Sequence, residues 1–274
     1  MDNITKFENL YDTITFNKMR RLIVVFISAI PFCTLAQERD TTFKLNSVFV
    51  NDSFKITIGQ IIKTPSDKTF FPVYTLDGDE TFTGSKFALN ALNNLAKNIL
   101  IVSIGYGAKY GQKTNMRDRD YSPIKTDTSS GKKFLQFISE ELIPFMEKKF
   151  ELRNERTLVG YSAGANFCLY TLFTNQKIFT NYLAGSIGSS LDSNYIFDKI
   201  GKAKLRKLKT RLFISSGSKE NWATEKMISI LYSLTNKNQN LISIKQRVFD
   251  GQEHGIMGAY TFLKESLRWT FIEN

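Results

Sequence analysis

The chain has a single histidine, His254, in 274 residues. Any site built on two histidines, the HExxH zinc helix included, is therefore excluded. Two cysteines, Cys33 and Cys168, are too few for a disulfide scaffold or a four-thiolate zinc site. Internal repeats, low-complexity tracts and Pro/Gly/Ser-rich linkers are also missing, which argues against a solenoid or a string of small domains. The apolar run Leu22 to Leu35, 14 residues, is short of the roughly 20 that a membrane-spanning helix needs. What is present is an ordinary globular balance, 42% hydrophobic and 23% charged residues, which excludes wholesale disorder and a collagen-like fibre. The net charge is +11, from 37 Lys+Arg against 26 Asp+Glu. These charges are scattered and no nucleic-acid motif accompanies them, so they read as a lysine-rich surface with no nucleic-acid partner. The densest run, Lys202 to Lys209, reads as a solvated segment before a strand.

Lys18-Met19-Arg20-Arg21, the apolar stretch after it and the small residues of Thr34-Leu35-Ala36 follow the order of a secretory signal peptide. Residues 1–36 are thus expected to be a signal peptide with an N-terminal extension, and residues 37–274 the functional domain. Export to the periplasm or the medium follows, with no stable membrane span after cleavage. The cleavage would remove Cys33 and leave Cys168 as the one thiol.

Residues 37–274 read as alternating strands and helices. Thr41 to Val50 and Phe54 to Ile62 alternate apolar and polar residues around Asn51-Asp52, as an antiparallel pair does. Phe70 to Leu76 is a strand ending in an Asp77-Gly78 turn. Phe87 to Asn98 has helical spacing, and Ile99 to Ile104 has the continuous apolarity of a strand buried on both faces. A helix over Phe134 to Phe145 is followed by a strand at Thr157 to Val159 and a helix at Ala165 to Phe173. Strands at Tyr182–Ile187, Leu212–Ser216 and Ile242–Phe249 come next, with helices at Met227–Leu234 and Gly258–Ile272. This order implies an α/β class protein: a mostly parallel central sheet with antiparallel N-terminal strands and helices on both faces.

Gly160-Tyr161-Ser162-Ala163-Gly164 is a GxSxG motif between a strand and a helix. Such a turn strains the serine backbone and lifts its hydroxyl above the sheet edge, while the flanking glycines let strand and helix pass closely. A serine hydroxyl needs a base. His254 follows the last strand, at the same carboxyl end of the sheet. An acid is expected between them in the chain. Glu220 follows the Leu212–Ser216 strand and is the leading choice; Glu225, Asp250 and Glu253 compete, and Asp192 more weakly. Oxyanion donors are expected at the backbone N–H of Ala163 and of Asp79, the latter only if its carboxylate points away; Gly105 and Gly107 are the alternatives.

These residues resemble the esterase D-like branch of the α/β hydrolases, which includes S-formylglutathione hydrolases, mycolyltransferases, feruloyl esterases and siderophore trilactone esterases. The resemblance runs from about Phe70 to the C-terminus. It rests on Pro72-Val73-Tyr74, Leu76-Asp77-Gly78, Ile104-Gly105-Tyr106-Gly107 and Arg119-Asp120-Tyr121-Ser122-Pro123. Phe137 to Pro144, Gly217-Ser218-Lys219-Glu220 and Glu253-His254 complete it. The resemblance implies an α/β-hydrolase fold and a catalytic set of Ser162, His254 and Glu220, with Asp79 and Ala163 holding the oxyanion. Arg117 and Arg119 become candidates for contact with an anionic or catecholate substrate, with a loop salt bridge as the other reading, and Tyr161 is a further candidate for substrate contact. At the elbow, Tyr161 and Ala165 stand where the siderophore-esterase branch usually has His and Gly. The expected activity is ester hydrolysis without metal or organic cofactor, on a small-molecule ester such as a siderophore lactone or an acylated sugar. A non-catalytic ligand-binding protein on the same fold and an acyltransferase are the alternatives.

Overall fold

The computed structural model describes residues 40–121, 130–189, 193–202, 209–237 and 241–273. The expected signal segment 1–36, Cys33, Asp192 and most of the Lys202–Lys209 run lie outside the described residues.

Strands β1 (Thr41–Ser47) and β2 (Asp52–Ile61) form the antiparallel pair, turning at Asn51, whose φ is 56°. β3 (Phe71–Thr75), β4 (Ile99–Gly105), β5 (Thr157–Ser162), β6 (Asn181–Ile187), β7 (Arg211–Gly217) and β8 (Ser243–Phe249) follow. Among the described residues all eight strands join one sheet in the order β1-β2-β4-β3-β5-β6-β7-β8. β2 is antiparallel to β4, and every pairing from β4 through β8 is parallel. All the parallel strands therefore deliver their carboxyl ends, and the loops after them, to one edge.

The strands alternate sides as their period of two requires. Tyr74, Leu100, Val102, Leu158, Tyr182, Leu212 and Ile214 face one layer, and Val73, Ile99, Ile101, Val159, Leu183 and Phe213 the other. The helices are α1 (Gly78–Asn90), α2 (Arg117–Asp120), α3 (Ser130–Gln136), α4 (Ile143–Lys149), α5 (Ala163–Thr174), α6 (Ser193–Lys202), α7 (Asn221–Lys237) and α8 (Ile256–Phe271). A π-helical stretch over Phe137–Leu142 joins α3 to α4. The first layer is closed by Phe134, Phe137, Phe167 and Met227 from this helical run, α5 and α7. The second is closed by Ala88 and Leu89 of α1 and by Phe262 and Leu267 of α8. Each large side chain removed from water this way stabilises the fold by about 1.5–3 kcal/mol. α5 is covered all round: Ala163 to Phe173 are buried without exception, as a helix wedged between sheet and neighbouring helices must be.

Several elements differ from the sequence expectation. The helix expected at Phe87–Asn98 begins at Gly78 and ends at Asn90. Its buried positions are Gly78, Ser85, Ala88 and Leu89, mostly small or polar, so it carries little apolar periodicity. Leu92 and Leu95, which prompted the later boundaries, are buried from the loop beyond the helix. The sequence pattern marks neither α2 nor α6, and α7 begins at Asn221 and not at Met227.

Candidate active site

β5 runs directly into α5, and Ser162 is the junction. Its φ of 58° and ψ of −122° lie in a region that non-glycine residues rarely adopt. The crossing beneath it is tight. A Cβ on Gly160 would enter the space of the Gly164 carbonyl, whereas a Cβ on Gly164 would meet only ordinary contact, 3.4 Å from the Asp77 carboxylate. The exit of β6 is tied to the same turn, because the Gly188 N–H donates to the Ser162 carbonyl at 3.2 Å and to Asn166 Oδ1 at 3.0 Å. Ser162 thus sits at the N-terminus of a 12-residue helix, where amide groups and the dipole favour developing negative charge.

His254 lies between β8 and α8, with half of its side chain exposed. Its ring packs against Tyr161, centroids 5.2 Å apart, next in sequence to Ser162. The Tyr161 hydroxyl receives the Gly255 N–H at 3.5 Å, and burial pushes its phenol up from the ordinary value. Tyr161 is therefore packed under the histidine loop. Glu220 follows β7, and its side chain is 7% exposed. Its Oε2 lies 3.6 Å from His254 Nδ1. Burial alone would raise this carboxyl; the nearby His254 ring and the Ser186 hydroxyl outweigh it and hold Glu220 below the ordinary glutamate value. Among the described residues, none of the competing acids Glu225, Asp250 and Glu253 pairs with His254.

Ser186, which no sequence motif marks, stands between Glu220 and His254. Its Oγ is 2.8 Å from His254 Nδ1 and hydrogen-bonded to Glu220 Oε2. The available signal was its place at the carboxyl end of a strand neighbouring that of Ser162, where site residues of parallel sheets collect.

Asp79 is in the first turn of α1. Its carboxylate accepts the N–H groups of Tyr106 at 2.6 Å and Gly107 at 2.9 Å and pairs with Lys55 at 2.9 Å. The charge is thereby aimed at the loop after β4, and the Gly107 amide is engaged by it. Ala163 is the first residue of α5. Both arginines are ion-paired within the chain. Arg117 is buried against Asp77, with Nη2 donating to Oδ2 at 3.0 Å and Nε 2.8 Å from Oδ1, beneath the Tyr110 ring. Burial pushes the Asp77 carboxyl up to about 6 despite the guanidinium. Arg119 bridges Asp120 at 2.7 Å and Asp52 at 3.0 Å. Asp77 holds φ 55°, and its sequence signal, Asp77-Gly78 after a strand, marks a turn and no ion pair.

Among the described residues there is no group of three or more His, Cys, Asp or Glu able to hold a metal ion, and no helix is long and apolar enough to cross a membrane.

Residues 60–259 match the family described as "Putative esterase". Ferri-bacillibactin esterase BesA of Bacillus subtilis (strain 168) is 34% identical over 67 residues, which is 24% of this chain and 23% of that protein. The crystal structure of BES protein from Bacillus cereus superposes with a TM-score of 0.72 at 24% identity, over 88% of this chain and 97% of that one. Siderophore hydrolase EstB from Aspergillus nidulans gives 0.73 at 18% identity, over 85% and 94%. At these identities the solved structures speak to the fold, which is that of the α/β hydrolases.

Proposed function

The chain belongs to this esterase family, in the esterase D-like branch of the α/β hydrolases, and on that premise we propose that it hydrolyses carboxylic esters through an acyl-enzyme on Ser162. One observation carries the reading. Ser162 holds a strained backbone at the strand–helix junction, and the ring beside it packs on the single histidine, whose Nδ1 faces the Glu220 carboxylate. In the mechanism, Ser162 Oγ attacks the ester carbonyl while His254 takes its proton. The oxyanion is held by the N–H groups of Ala163 and Asp79. His254 then protonates the departing alcohol, and a water deprotonated by the same base releases the acid and restores Ser162. Glu220 supports the imidazolium. Tyr161 braces the His254 loop, and Arg117 and Arg119 shape the site through their ion pairs.

The substrate class we favour is a siderophore lactone, with acylated sugar esters second; the support is the likeness to the proteins named above. Residues 37–274 form the esterase domain in this reading, and the segment before it directs export.

The test is hydrolysis of p-nitrophenyl acetate and butyrate by the protein beside Ser162→Ala, with fluorophosphonate labelling of both. Turnover and labelling that vanish in Ser162→Ala are expected. A folded wild type that neither turns over nor labels would refute the proposal in favour of a binding protein.

A further inference from the structure

The acid and base of the site do not touch. The 3.6 Å between Glu220 Oε2 and His254 Nδ1 exceeds a hydrogen bond, whereas Ser186 Oγ is within reach of both. We infer that the Ser186 hydroxyl is a positioning residue that couples Glu220 to His254. The inference rests on the hydrolase reading above.

Donor counting sets the direction of the chain. An ionised carboxylate can only accept, so the Ser186 proton points at Glu220 Oε2. Oγ then accepts, and the proton it receives is that on His254 Nδ1. This arrangement fixes the tautomer whose Nε2 lone pair is free for the Ser162 proton. When Nε2 takes that proton, both protons of the chain stay on their own atoms, and the carboxylate stabilises the new positive charge through a polarised hydroxyl. The backbone supports the assignment. Ser186 is 2% exposed and holds φ 48°, which glycine would adopt without penalty. Strained, buried polar residues of this kind cluster where geometry serves chemistry.

Glycine also makes the clean test, since Ser186→Gly removes the hydroxyl and relaxes the backbone. Kinetics on p-nitrophenyl acetate would compare the full-length wild type, Ser186→Gly, Ser186→Ala, Glu220→Gln and the Ser186→Gly/Glu220→Gln double variant, with thermal melts of each. The expected result is a kcat lowered roughly 10- to 100-fold in both Ser186 variants, with KM changed by less than about twofold. The double variant should be no slower than Glu220→Gln alone, because the hydroxyl acts through that carboxylate. A wild-type kcat in a folded Ser186 variant, or losses that multiply in the double variant, would overturn the inference while leaving the hydrolase reading intact. A wild type inert to ester and fluorophosphonate would overturn both.

Discussion

Replacing Gly160 by alanine tests whether the close crossing of β5 and α5 is what presents Ser162. Gly160 has no left-handed backbone, so a methyl group is resisted by space alone. The added Cβ would overlap the Gly164 carbonyl and stand 3.0 Å from the Ala165 nitrogen. Both are backbone atoms of the first helical turn and cannot swing aside as a side chain would. Relief requires strand and helix to part by roughly 1 Å, and overpacking of this kind costs about 1–3 kcal/mol. At about 2–4 °C per kcal/mol for a chain of this size, the melting temperature should fall by roughly 2–12 °C. The functional loss should be larger, because Ser162 is two residues away and a displacement of about 1 Å can cost ~100-fold in rate. Gly111→Ala is the control. Its Cβ meets nothing within 4 Å, and only its φ of 83° opposes the change, at about 1–2 kcal/mol. Melts and the fluorophosphonate labelling rate per folded molecule read both effects. Labelling at the wild-type rate by a Gly160→Ala protein that melts within about 2 °C of wild type would refute the steric argument.

Two further expectations follow from the charges. Arg117→Met leaves the Asp77 carboxylate buried without its guanidinium and should cost about 3–5 kcal/mol in urea unfolding at pH 8, with most of it recovered in Arg117→Met/Asp77→Leu. Asp77 is raised in the fold to about 6, so its contribution is full below 3.8 and is lost as pH rises through about 6. The Arg117→Met deficit should accordingly be smaller at pH 5 than at pH 8, and an equal deficit at both would contradict the assignment. Glu220 is shifted the opposite way, so its stabilising share is present above 4.5 and is lost as pH falls through its lowered value. Wild type should therefore melt above Glu220→Gln at pH 7, with the gap closing in acid, while kcat of the variant falls roughly 10²- to 10⁴-fold at pH 7. A gap that widens in acid would count against it.

The parts of this protein that were legible in advance share one property: each is written in contiguous residues. The alternation in Thr41 to Ile62 exposes the antiparallel pair, the near-continuous apolarity of Ile99 to Ile104 exposes a strand buried on both faces, and GxSxG between Thr157-Leu158-Val159 and an apolar helix exposes the elbow. What escaped is relational. α1 turns small residues to the core, where the α1–α8 packing accepts them, so its face leaves no 3.6-residue signature. The Asp77–Arg117 pair spans 40 residues and is joined only once β3 and the loop after β4 are side by side. Ser186 looked like one more small residue in Ala184-Gly185-Ser186-Ile187, because its meaning depends on a φ of 48° that no residue type reports and on loops 34 and 68 residues away. Single-chain patterns thus single out Ser162 and His254 as candidates, because a GxSxG turn and a lone histidine after the last strand are rare residue types at fixed places, and Glu220 by its place after β7. They do not single out Ser186 or the Asp77–Arg117 pair, since groups of that kind are defined by what the fold brings within about 3 Å of them.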